Sequence, residues 1–265
     1  MKIKPERTPH HISMQKEKTI EVKNLKASFG NLQVLKDITF DVFKEEITVI
    51  LGPSGCGKST VLKHILGLYP VKEGEIILMG KNIAELTEKE QNKMYRQMGV
   101  FYQNGALLNS MTVGENVSLP LVQHSDLSDD LIRELVNMKL SLVNLSDAYD
   151  KFPAELSGGM LKRAALARSI ALDPPVLFFD EPGAGLDPIS LESLDKLILN
   201  LKNKLGMTVV MVTHEVSSIL RIADKIVYID KGKVVFEGPL KKALETDTPS
   251  VQQFFSILKE ANKNL

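Results

Sequence analysis

ITVILGPSGCGKSTVLKHIL, residues 47–66, runs from an apolar stretch through a glycine-rich turn into apolar residues at helical spacing. ITVIL is short and rich in β-branched residues, which suits a strand buried on both faces. TVLKHIL reads as a helix, which Gly67 and Pro70 stop. Between them GPSGCGKS, residues 52–59, matches GxxxxGK[ST] in the strand–turn–helix context that the motif requires. A chance match in a turn would lack those flanks. The glycines let the backbone wrap closely, so that successive amide hydrogens and the positive helix end face phosphate oxygens. In this pattern Lys58 reaches the β and γ oxygens of a nucleotide and Ser59 binds Mg²⁺. The candidate nucleotide-binding residues are therefore Gly52, Pro53, Ser54, Gly55, Cys56, Gly57, Lys58, Ser59 and Thr60. Cys56 lies near Lys58 and a helix N-terminus, both of which favour a thiolate. A redox-sensing thiol and a small side chain filling a tight loop are its two readings.

Outward from this loop the chain alternates. IEVKNL, ITFDV, GEIILMGKN and MGVFYQ read as strands, and after residue 163 the order becomes VLFFD, a helix over 188–205, TVVMVTH, KIVYID and KVVFEG. Strands alternating with helices argue for an α/β fold with a parallel core. Between about residues 104 and 163 the texture is helical, as in DDLIRELVNM, and reads as an insertion in that body. Asp187 suits the cap of the 188–205 helix and Pro188 its first turn, with Leu191, Leu194, Ile198, Leu201 and Leu205 on one face.

Three of these strands end in polar side chains. PVLFFDE delivers Asp180 and Glu181 to the rim of the sheet, Asp180 as a Mg²⁺ ligand and Glu181 as the group that polarises an attacking water. TVVMVTH ends at His214, which could reach a γ-phosphate or Glu181. MGVFYQ ends at Gln103, a candidate for contact with Mg²⁺ or the lytic water. Each alone has an ordinary alternative: adjacent acids at a strand end, a structural histidine, a surface amide. Their shared placement after a phosphate-binding loop selects the catalytic reading for Glu181, His214, Gln103 and Lys58.

Composition removes other classes. Lys plus Arg and Asp plus Glu are equal at 33 each, so the broad basic footprint of a nucleic-acid binder is missing and no nucleic-acid partner is expected. One cysteine excludes an internal disulfide and fits a reducing compartment. The opening MKIKPERTPHHISMQKEK lacks the apolar centre of a secretory signal, and a basic flexible tail is expected over residues 1–18. No apolar stretch is long enough to span a bilayer.

LSGGM, residues 156–160, opens the apparent helix LKRAALARSIAL, so Ser157, Gly158 and Gly159 form a second anion-binding helix end in the same chain. With the phosphate loop, a glutamine loop, LSGG, the acidic strand end, GLD and the final histidine in this order, residues 19–238 resemble the ABC transporter ATPases. The resemblance implies a P-loop NTPase (RecA-like) α/β core with an N-terminal antiparallel β subdomain and an inserted α-helical subdomain. It implies a domain over 19–240 and a C-terminal helical extension over 241–265. It further implies a head-to-tail homodimer with ATP and Mg²⁺ in its interface, where Ser157 and Gly159 of one copy cap the γ-phosphate held by the other. Asp187 would bridge the copies, and Phe29, where the family often has tyrosine, would stack on adenine.

Met160 replaces the glutamine of the common LSGGQ, and with FYQNGALLNSMTVGENVSLPL it resembles the ATPases of Mla/Mce-type lipid transporters. That resemblance implies integral-membrane permease subunits, an MCE-type lipid-binding protein and a peripheral location on the cytoplasmic side of a bacterial inner membrane. Leu107, Leu108 and Met111 are expected either to be exposed where a permease helix docks or to pack within the helical subdomain. A small-solute importer or exporter keeps the same engine with another cargo. A small-molecule kinase would not need LSGG, and the ABC proteins of DNA repair or translation carry insertions or tandem units lacking here. The apolar positions of VQQFFSILKEANKNL either complete the core or join a partner.

Overall fold

The computed structural model describes residues 16–103 and 105–261. Two long alternating segments form the antiparallel strands β1 (Lys18–Phe29) and β2 (Leu32–Phe43), followed by β3 (Ile47–Leu51) and α1 (Lys58–Ile65). Next come β4 (Glu73–Leu78), β5 (Lys81–Asn82), α2 (Glu88–Tyr95) and β6 (Met98–Phe101). Three helices succeed them, α3 (Val113–His124), α4 (Asp129–Leu142) and α5 (Gly158–Ser169). The α/β rhythm returns with β7 (Val176–Asp180), α6 (Pro188–Leu205), β8 (Thr208–Val212), α7 (Val216–Ile222), β9 (Lys225–Asp230) and β10 (Lys233–Pro239). Two helices, α8 (Leu240–Glu245) and α9 (Pro249–Ala261), end the described chain.

The strands join one sheet in the order β5-β4-β1-β2-β10-β9-β3-β8-β7-β6. Its β9-β3-β8-β7-β6 half is parallel throughout, while β1 pairs antiparallel with both β2 and β4. Every residue of β3 and β8 is buried, which is why these strands read as apolar runs without alternation. Successive side chains feed opposite layers: Val49, Leu51, Leu177 and Phe179 pack with the helical insertion and α6, and Ile50, Val176 and Phe178 with α1 and the antiparallel strands.

Local chemistry sets the helix ends. Asp187 accepts from the Ile189 and Ser190 amides, Pro188 occupies the first turn of α6, and Gly206 at φ +62° closes it. Leu205 departs from the expected apolar face and is exposed, because it sits in the last turn. The sequence reading missed α2, although Thr87 and Glu90 form a reciprocal capping box that a T-x-x-E search would have found. The helix expected to open at LSGGM is α5, one continuous helix that ends at Ser169. The expected tail lies outside the described residues except for its last three. Of these, Lys18 already belongs to β1, and the Glu17 carbonyl accepts from the Lys44 amide at 2.9 Å. In α9, Val251 and Phe255 are buried in the main core, with Phe254 edge-on to Tyr228, so this face packs on its own chain.

Candidate active site

The parallel register brings the expected residues to one edge. Ile50 of β3 pairs with Val212 of β8, Val212 with Asp180 of β7, and Phe179 with Phe101 of β6. The phosphate loop, His214, the two acids and Gln103 therefore leave four neighbouring strands at the same level, at the carboxyl edge where α/β sheets place their ligands.

The loop after β3 is held by close backbone contacts. A Cβ on Gly52, at φ +146°, would lie 2.0 Å from the Ile229 carbonyl oxygen and 2.8 Å from Cys56 Sγ. Gly57, at φ +111°, caps α1. The Lys58 ammonium donates to the carbonyls of Gly52 (2.8 Å) and Pro53 (3.0 Å), arching over the turn, while Ser59 stands exposed in the first turn of α1. Gly52→Ala is expected to cost at least the 1–3 kcal/mol or so of a strained backbone. Thermal unfolding should show a lowered Tm together with lost ATP binding; an unchanged Tm would mean that the loop shifts freely.

Cys56 is buried against this turn, and burial pushes its thiol up, outweighing the opposing pull of Lys58. Of its two readings, burial disfavours the reactive thiolate and supports the small side chain packed in a tight loop.

At the end of β7, Asp180 is half-buried and its carboxyl is raised by burial and then by the charge of Glu181, with Lys63 and Lys58 pulling the other way. Glu181 takes φ +50°, a rare conformation for a residue other than glycine, fixed by its amide to the Val212 carbonyl (2.8 Å) and its carbonyl to the Ala184 amide (3.2 Å). This turn sends its carboxylate towards β8. There Glu181 Oε2 lies 2.9 Å from His214 Nδ1 and accepts from the His214 amide at 3.3 Å. The His214 side chain is 65% exposed and that of Glu181 16%, so the pair has one face open to an incoming ligand.

The other candidates line separate cavities or stand beyond the strand ends. Gln103 is exposed beyond β6. Phe29 is 47% exposed at the end of β1 with its ring edge-to-face with Tyr69 at 5.4 Å. Ser157 caps α5 through the Met160 amide, with Gly158 exposed beside it. A Cβ on Gly159 would come within 3.8 Å of Ser190 Oγ, so the tips of α5 and α6 are neighbours and Ser157, Gly159 and Ser190 share a cavity of about 330 Å³. Hydrogen bonds from Ser190 and Ile189 hold the Asp187 carboxyl below the usual range.

Of the three apolar residues near Gln103, only Leu108 is exposed; Leu107 packs on the core and Met111 is half-buried. The reason is Asn116, fully buried on α3, whose amide exchanges hydrogen bonds with the Leu108 backbone and donates to Met111 and Thr112, curling the segment inward. A cavity of about 410 Å³ does lie beside the glutamine, but Tyr102, Ala106, Pro120 and Arg168 form its wall.

The donor set suits Mg²⁺: a hydroxyl on Ser59 and a half-buried carboxylate on Asp180 are hard oxygen ligands, and a bound cation would offset first the burial and then the neighbouring Glu181 charge that raise the Asp180 carboxyl. Among the described residues no cluster of three His, Cys, Asp or Glu side chains could hold a metal alone.

A sequence profile described as ABC transporter matches residues 35–184. The chain is 42% identical over 235 residues to the intermembrane phospholipid transport system ATP-binding protein MlaF of Haemophilus influenzae, covering 89% of each protein. It is 40% identical over 237 residues to the probable ribonucleotide transport ATP-binding protein mkl of Mycobacterium leprae, covering 89% of this chain and 68% of that one. Among solved structures it resembles the dimeric post-hydrolysis state of the ATP-binding cassette MJ0796 bound to ADP and Pi, with a TM-score of 0.75, 31% identity, and coverage of 83% of this chain and 98% of that one.

Proposed function

This chain belongs to the ABC transporter family of ATP-binding, ATP-hydrolysing proteins, and from that premise we propose that it powers phospholipid movement through a separate permease, working as a head-to-tail pair. The observation that carries the catalytic part is the Glu181–His214 contact at the end of two adjacent parallel strands, next to the phosphate loop.

In this reading the loop amides and Lys58 hold the β- and γ-phosphates. Ser59 and Asp180, with Gln103, hold Mg²⁺, which when bound neutralises charge on the phosphate oxygens. Glu181 orients the attacking water and draws on its proton, while its strained backbone and the His214 contact keep the carboxylate from swinging away. His214, exposed on its other side, meets the γ-phosphate. Ser157 and Gly159 of the second copy close the site from above with backbone and hydroxyl donors, and Asp187 links the two copies.

Phe29 supplies a face for adenine. Phe29→Ala removes a base–aromatic stack worth about 1–3 kcal/mol and is expected to raise KM for ATP roughly tenfold with kcat nearly unchanged. Steady-state kinetics check this, and a fall confined to kcat would reassign the residue.

Among the described residues no helix is long and apolar enough to cross a membrane. The spanning segments then belong to permease subunits, and this chain sits peripherally beneath them on the cytoplasmic side of the inner membrane, with a helix of the permease entering the groove of Tyr102, Ala106, Pro120 and Arg168. An MCE-type protein would present the lipid. Phospholipid is favoured over a ribonucleotide cargo because the chain matches the MlaF protein over nearly all of both lengths, whereas about a third of the mkl protein has no counterpart. Affinity purification from the native membrane followed by mass spectrometry tests this. Permease and MCE subunits with phospholipid are expected; a solute-binding protein with nucleotide would transfer the engine to the other cargo.

A further inference from the structure

Lys162 is a buried cation outside the machinery just described. Burial pulls its amine below the usual lysine range, yet its hydrogen bond goes to a neutral group, the Gln103 carbonyl, and its ammonium stands 5.6 Å from the centre of the Phe101 ring. A desolvated charge is costly unless it is paired or hydrogen-bonded, and here the Gln103 carbonyl and the face of Phe101 offset part of that cost. Two turns along the same helix, the Arg168 guanidinium donates to the Gly105 carbonyl at 2.6 Å and the Ala106 carbonyl at 2.7 Å. Gly105, at φ +71°, lets the loop lie directly on α5, since a Cβ there would stand 3.0 Å from Ala165 Cβ. Three carbonyls around the glutamine are thus tied to one helix, and that helix begins at Ser157.

We propose that Lys162 and Arg168 are positioning residues that fix the loop bearing Gln103 to the helix tip bearing Ser157, so that both move as one body. The proposal rests on the reading of Gln103 as a reaction-site residue. Arg168 and Ala106 also line the 410 Å³ groove, so a segment seated there bears on the clasp itself and shifts Gln103 and Ser157 together. Nucleotide first meets the loop after β3, which the clasp does not touch; the clasp therefore acts on turnover rather than on affinity.

The test compares Lys162→Met, Lys162→Arg, Gln103→Ala and the Gln103→Ala/Lys162→Met double variant in the full-length chain, measuring kcat and KM for Mg·ATP alongside Tm. Misplacing a reacting group by a fraction of an ångström is expected to lower kcat about tenfold in Lys162→Met with KM unchanged, and Lys162→Arg should restore it. Because Lys162 works through Gln103, the double variant should be no slower than Gln103→Ala alone. Wild-type kcat in Lys162→Met beside an impaired Gln103→Ala overturns the clasp and leaves the Gln103 reading standing. Wild-type kcat in Gln103→Ala overturns both. Multiplicative losses in the double variant also overturn the clasp. Should Lys162→Met fail to fold, Arg168→Gln, which removes the guanidinium and its forked pair of donors to the Gly105 and Ala106 carbonyls, takes its place, and wild-type turnover there counts against the proposal.

Discussion

Glu181→Gln is expected to hydrolyse ATP on the order of 10²–10⁴-fold more slowly than the parent chain while binding it as tightly, so that ATP traps the protein as a closed pair. The argument is local. The amide of glutamine keeps the size of the side chain and can still face His214, but it cannot draw a proton from water. Nothing in the phosphate loop depends on this carboxylate: Lys58 is held by the Gly52 and Pro53 carbonyls, and Gly52 by its closeness to Ile229. Nucleotide-binding fluorescence, phosphate release and gel filtration with ATP separate the three outcomes. Turnover near that of the parent would remove Glu181 from its role and leave the strained turn at φ +50° without a chemical purpose.

Lys58→Ala and Ser157→Phe should each abolish hydrolysis, and a mixture of the two should recover it. Lys58 acts in the site of its own copy, whereas Ser157 is exposed at the tip of α5 and shares its cavity with the α6 tip rather than with the phosphate loop. In a mixed head-to-tail pair one composite site carries both defects and the other carries none. Phenylalanine at an exposed helix cap costs about 1 kcal/mol of capping energy, too little to unfold the chain, so Ser157→Phe alone should still bind ATP. Failure of the mixture to hydrolyse, with both variants folded, would contradict the shared site. Recovery could not come from two copies working separately, because each holds one of the lesions.

Much of this was legible before any coordinates because the chemistry is short-range. A phosphate loop needs its glycines and lysine at fixed spacing between a strand and a helix. Asp187 and Pro188 name the first turn of α6 within two positions, and strands buried on both faces announce themselves as apolar runs. Even α2, passed over, had its start written in Thr87 and Glu90. The acids and the histidine were visible as polar ends of such runs, but their adjacency was an inference from fold type, since residues 181 and 214 meet only if β7 and β8 are neighbours in register.

Other features had no signal in one dimension. Cys56 has the neighbours of a reactive thiol and the burial of an inert one, and only packing against the Gly52 turn decides between them. Leu107, Leu108 and Met111 look alike in sequence; the buried amide of Asn116 sorts them.

The amino-acid order by itself fixed the kind of chemistry, a nucleotide phosphate met by a lysine, a hydroxyl and carboxylates, because those groups act through spacings of a few residues. The three-dimensional arrangement alone decided which of them touch, which are desolvated, and that Lys162 and Arg168 grip a loop some sixty positions earlier in the chain. Hydrogen bonds and burial depend on distance through space, and the sheet order that sets those distances arises from long-range packing that no local pattern encodes.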